Sequence, residues 1–108
     1  MPTKADTQRR LKARLFYSLS DPVRIEILEF IRDGEKCVCE IVPHLNLIQP
    51  VVSRHLKILK DSGLVVFRKD GNKRLYSVTH PEIYRIIDDV TPEFASALSK
   101  KIMEQAIC

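Results

Sequence analysis

The sequence predicts a mainly α-helical chain with one small β-hairpin, and three observations carry that expectation. Apolar residues recur at three-to-four spacing along most of the chain; one stretch is instead rich in Val, Phe and Tyr around a turn; and the residues between these runs are those of helix ends. With 108 residues, 44% of them hydrophobic, the chain suffices for one core, so 1–108 reads as a single domain.

The first helix is expected over 7–19, where Leu11, Leu15, Phe16 and Leu19 alternate with Arg9, Arg10, Lys12 and Arg14. A second begins at Asp21, a good N-cap, followed by Pro22 at the first helical position; Val23, Ile27, Phe30 and Ile31 form its inner face, and Gly34 suits its end. Cys37 to Leu45 is a short third candidate. Asn46 to Gln49 makes a compact connection in which Asn46 tolerates a left-handed backbone, and Pro50 opens another helix that Gly63 ends. Two short helices so joined, over 37–62, suggest a helix-turn-helix.

Residues 64–78 then read as a hairpin. Leu64 to Phe67 and Leu75 to Val78 are β-rich, and Asp70, Gly71 and Asn72 between them are turn formers. From 81 to 106 the apolar positions Ile83, Ile86, Ile87, Val90, Phe94, Ala97, Leu98 and Ile102 form a long stripe. Pro92 removes a backbone donor and restricts Thr91, so this segment should kink or break there. Nothing later in the sequence covers the stripe, and a twin subunit, meeting it with its own first helix, is the economical partner.

Charge is unevenly placed. Residues 49–80 hold seven Lys or Arg against two Asp, in a chain whose net charge is +4. A localised positive segment suits phosphate contacts, although a solvated surface helix or a basic hairpin can look the same. No run approaches the ~20 apolar residues of a membrane span, and the N-terminal stretch lacks the apolar region of a signal peptide, so a cytoplasmic protein without a membrane partner is expected. Three cysteines then argue for reduced thiols rather than a disulfide framework. With only Gly34, Gly63 and Gly71, no phosphate-binding loop can be drawn, and an enzyme is not expected.

Within the basic segment, Gln49, Ser53, Arg54 and His55 stand early on a helix, where major-groove readers meet base edges, while Lys57 and Lys60 farther along suit phosphates. Arg68, Lys69, Lys73 and Arg74 flank the hairpin turn and suit a wing lying along a phosphate backbone. The combination Ser53-Arg54-His55-Leu56, Leu59, Ser62-Gly63-Leu64-Val65, Arg68-Lys69, Gly71 and Tyr76 resembles the ArsR/SmtB family of winged-helix metalloregulators. The resemblance implies a homodimeric repressor, paired through its N- and C-terminal helices, that binds near-palindromic double-stranded operator DNA and releases it when an inducer binds.

Glu35-Lys36-Cys37-Val38-Cys39-Glu40 is similar to the Cys-x-Cys box of the family's arsenical-responsive branch. On a regular helix, residues two apart point roughly 200° away from each other, so two thiolates so placed cannot grip one ion. They converge where the backbone is extended or frayed. Pro43 lacks the N–H that would bond the Cys39 carbonyl, which loosens the helix start.

Soft thiolates favour arsenite or antimonite, with another thiophilic metal ion as competitor and no permanent cofactor. Some arsenical members carry a third cysteine three residues after the box, where this chain has Val42; Cys108 or a small cellular thiol must then complete a three-sulfur set. Two alternatives stay open: a thiol-redox repressor pairing Cys37 or Cys39 with Cys108, and a constitutive DNA-binding protein with inert cysteines.

Overall fold

A computed structural model describes residues 1–107. The elements are α1 (Lys4–Ser18), α2 (Pro22–Phe30), β1 (Lys36–Cys37), α3 (Val38–Leu45), α4 (Gln49–Asp61), β2 (Val65–Asp70), β3 (Lys73–Val78), α5 (Ile83–Asp89) and α6 (Pro92–Ile107). This is a winged helix-turn-helix.

The helix boundaries follow local chemistry. Asp21 accepts the Val23 amide at 2.8 Å and Pro22 opens α2, as anticipated. Asn46 ends α3 with φ 55° and ψ 42°, the left-handed conformation that turns the chain into α4. Ahead of Pro92, Val90 leaves helical geometry, so the C-terminal stripe is divided into α5 and α6. The first helix is longer than expected, because Thr3 and Asp6 form a reciprocal capping box that starts α1 at Lys4.

The sheet differs from the expected hairpin in two ways. Its strands are longer, with only Gly71 and Asn72 between them, and a third strand, β1, joins the edge in the order β1-β3-β2. Lys36 pairs with Tyr76 and Cys37 with Leu75. The segment that begins the third predicted helix is therefore extended at Cys37, and α3 starts one residue later.

The core is built from Ile27, Leu28 and Ile31 of α2, Ile41 of α3, Val52, Leu56 and Leu59 of α4, Tyr76 of β3 and Ile83 and Tyr84 of α5. Tyr84 donates its hydroxyl to the Leu28 carbonyl at 2.6 Å, so its buried polar atom is satisfied. At the two ends of the chain much apolar surface stays outside this core, although Leu15 and Leu19 pack against it. Every residue from Thr91 to Ala106 is exposed, Phe94, Leu98, Ile102 and Met103 among them, and α1 exposes Leu11, Phe16 and Tyr17.

Candidate metalloid and nucleic-acid site

Cys37 is the N-cap of α3. Its backbone is extended (φ −69°, ψ 149°), its sulfur accepts the Cys39 amide at 2.9 Å, and its own amide donates to Glu40 Oε1 at 3.0 Å. That is a capping box with Cys where Ser or Thr usually stands. Because Cys37 lies outside the helix and Cys39 within its first turn, the two Cα atoms are 5.0 Å apart and the sulfurs are bonded to each other. The convergence that a regular helix forbids is thus supplied by the β1–α3 junction. Cys37 is 4% exposed, whereas Cys39 faces solvent.

The cysteine pair lies in a cleft of about 970 Å³ between the start of α3, the outer face of α4 and the β2–β3 wing. Gln49, Ser53, Lys57 and Lys60 line it from α4, and Lys73 and Arg74 from the wing. Its floor includes Phe67, whose ring carries the Lys60 ammonium at 5.4 Å and the Arg74 guanidinium at 5.0 Å from its centroid. The sulfur pair and six of the ten residues expected to contact DNA therefore share one cavity, while Arg54, His55, Arg68 and Lys69 do not line it.

The predicted cations are not equivalent. Lys57 is bonded to Asp61 at 2.9 Å, and that hydrogen bond holds the Asp61 carboxyl below the usual carboxylate range. Arg68 is forked onto Glu35, with Nε donating to Oε2 at 3.0 Å; the same contact lowers the Glu35 pKa and ties the wing to the loop before β1. Arg54, Lys69, Lys73 and Arg74 form no salt bridge among the described residues. They are exposed.

His55 departs from the expected base-reading set. It is 8% exposed and its Nδ1 lies 3.1 Å from Arg24 Nη1, because position 55, three residues after Val52 and four before Leu59, falls on the same inward face of α4 as those core residues. Cys108 lies outside the described residues. Among the described residues no cluster of three His, Cys, Asp or Glu is placed to hold a metal ion.

Two features escaped the sequence reading. The cap at Cys37 was signalled by Glu40 three residues on, the spacing of a capping box. Arg24, buried at 5% exposure, had no local signal, since its partners come from α1 and α4.

This arrangement, a tight helix-turn-helix followed by a basic wing, defines a winged-helix regulatory protein. The chain belongs to the arsR family of bacterial regulatory proteins, whose sequence profile matches residues 21–66. An arsenical resistance operon repressor of Staphylococcus xylosus is 47% identical over 62 residues, covering 57% of this chain and 60% of the relative. An uncharacterized HTH-type transcriptional regulator of Methanocaldococcus jannaschii is 37% identical over 82 residues, covering 72% and 92%.

Among solved structures, the homodimeric winged helix-turn-helix DNA-binding domain of a possible ArsR-family regulator from Mycobacterium bovis superposes with a TM-score of 0.75. It covers 97% of this chain and 93% of that one at 22% identity, and shares the fold. Among the described residues no helix is long and apolar enough to cross a membrane.

Proposed function

We propose that this chain is a homodimeric transcriptional repressor that binds near-palindromic operator DNA and releases it when arsenite or antimonite is ligated by Cys37 and Cys39. The observation that carries the reading is the position of the sulfur pair, at the α3 cap and the sheet edge, inside the cleft between α4 and the wing. The arsenical repressor of S. xylosus supports the choice of inducer by likeness.

Gln49, Ser53 and Arg54 meet base edges, and Lys60, Lys69, Lys73 and Arg74 meet phosphates. Lys57 and Arg68 contribute once they exchange Asp61 and Glu35 for DNA. The exposed apolar faces of α1 and α6 supply the dimer contact, as large unpartnered apolar surface is otherwise costly.

In the dithiol form, each sulfur bond to arsenic forms as a thiol proton leaves with an arsenite hydroxyl as water. Ligation takes the Cys37 sulfur out of its capping contact and places the metalloid between α3 and β3. The two states then differ in how α3 and the wing hold α4, which is the differential affinity that release requires. A third sulfur comes from Cys108 or a small thiol. Titrating operator-bound protein with arsenite, antimonite, cadmium and zinc tests the reading; it fails if none releases DNA at sub-millimolar concentration, or if free and bound forms share one backbone from Lys36 to His44.

A second reading is favoured by the bonded sulfurs themselves. Cys37 and Cys39 together lose two protons and two electrons to a small disulfide, which leaves as two thiols, and the repressor becomes deaf to metalloid. Mass loss of two hydrogens in a Cys108→Ser variant, with retained DNA binding and no arsenite response, distinguishes this pair from one involving Cys108.

A further inference from the structure

Arg24 is a buried cation without a carboxylate partner among the described residues. Its donors go elsewhere. Nε bonds the Ser18 carbonyl at 2.8 Å and Nη2 the Tyr17 carbonyl at 3.1 Å, both at the C-terminal end of α1, and Nη2 reaches Ser20 Oγ at 3.4 Å. Nη1 points to His55 Nδ1 of α4 at 3.1 Å.

Guanidinium only donates, so Nδ1 is the acceptor and the ring proton sits on Nε2. The last carbonyls of α1 lie at the negative end of its dipole, which offsets the buried charge; Arg24 takes the Ser18 carbonyl and shares the Tyr17 carbonyl with the Ser20 amide and hydroxyl. α1 has no basic residue of its own in its last turn. One planar fork thus joins the end of the helix with the exposed apolar face to the middle of the DNA-reading helix.

We infer that Arg24 is a positioning residue that, through His55, fixes α4 against α1 and so sets the separation of the two α4 helices in the dimer. The inference rests on the dimeric operator-binding reading above. A dimer reads two half-sites at a spacing fixed by its own geometry, so a loosened strut relaxes spacing selectivity before it removes phosphate binding. Lysine cannot replace Arg24, since it lacks the fork. Asparagine can replace His55, since its amide oxygen accepts.

The test uses the full chain with a palindromic duplex selected by the wild-type protein, versions with the spacer changed by one base pair, and an unrelated duplex. In Arg24→Lys and His55→Leu, affinity for the selected duplex falls by about tenfold or more while unrelated-duplex binding at low salt stays within about twofold. Preference over the altered spacers shrinks in both. His55→Asn keeps it.

Retained spacing preference in Arg24→Lys overturns the inference, as does a parallel fall in selected and unrelated binding, which marks a merely structural role. Arg24→Lys carries the test if His55→Leu does not fold. If the wild-type protein selects no palindrome, the dimeric operator reading falls, and the strut falls with it.

Discussion

The two helices of the helix-turn-helix begin in opposite ways. α3 starts fully capped, with the Cys37 sulfur on the Cys39 amide and Glu40 on the Cys37 amide. α4 has Ile48 at its N-cap position, which is 67% exposed and makes no side-chain cap. A capped start is committed to the fold, and whatever takes its cap disturbs the fold. At the α4 start Pro50 has no N–H and the Val51 and Val52 amides bond the Ile48 carbonyl, which leaves the Gln49 N–H for an outside anion, such as a phosphate. The molecule places its thiols at the first and the polar residues proposed to face DNA at the second, so on that reading the two events act on adjacent helix ends across one cleft.

The largest expected effect comes from separating the two roles of Cys37. Serine is a preferred N-cap, so Cys37→Ser keeps the α3 start and removes a ligand, while Cys37→Ala removes both. Both variants raise the arsenite concentration needed for release by more than the roughly 10- to 100-fold that loss of a supporting partner costs at a metal site. Only Cys37→Ala also loses stability, about 1 kcal/mol by chemical denaturation. Equal stabilities would mean that the sulfur cap is energetically idle.

Next in size is the wing. Replacing both Lys73 and Arg74 by Gln should weaken operator binding at low salt and reduce the slope of log affinity against log salt by about 2, one for each phosphate contact. An unchanged slope would remove the wing from the DNA contact.

A cap introduced at α4 inverts the comparison directly. Ile48→Asp should stabilise the fold by up to about 1 kcal/mol, by accepting the Val51 amide, since Pro50 has none, and yet weaken DNA binding, because on the proposed reading a phosphate approaches this helix end and the new charge repels it. Stability and affinity moving in the same direction would refute an open α4 start.

The smallest effect lies in the Glu35–Arg68 fork that holds the loop before β1 to the wing. The hydrogen bond from Arg68 lowers the Glu35 pKa from its ordinary 4.5. A depressed carboxyl contributes stability that is present above the unfolded value and lost as pH falls through the folded one. Glu35→Gln should therefore flatten the decline of Tm below about pH 4.5 and leave Tm near neutrality little changed, since the pair is exposed.

The elements were legible because their signals are local. Asp21 with Pro22, the left-handed Asn46, Gly71 with Asn72 in the hairpin turn, and Pro92 between α5 and α6 each act on backbone within a few residues. Residue chemistry along α4 likewise placed Gln49, Ser53 and Arg54 on an exposed surface. Pro43 suggests a loosened start for α3, but the structure caps that start, and the capping box is written in the Glu40 spacing.

Partnership across the fold was not legible in the same way. Cys37 is extended as an N-cap ordinarily is, but its pairing with Leu75 at the edge of the sheet joins residues that no window around Cys37 contains. His55 looked like a base reader from its place in the basic run, until α2 brought Arg24, 31 residues away, against its ring. Backbone conformation and turn chemistry depend on covalent neighbours, so sequence specifies them, including a cysteine pair held at a helix start. Whether a polar side chain faces DNA or the interior, and whether two sulfurs meet, depends on which elements pack together. That packing holds the Cys37–Cys39 pair at the sheet edge and turns His55 inward, away from the residues proposed to face DNA.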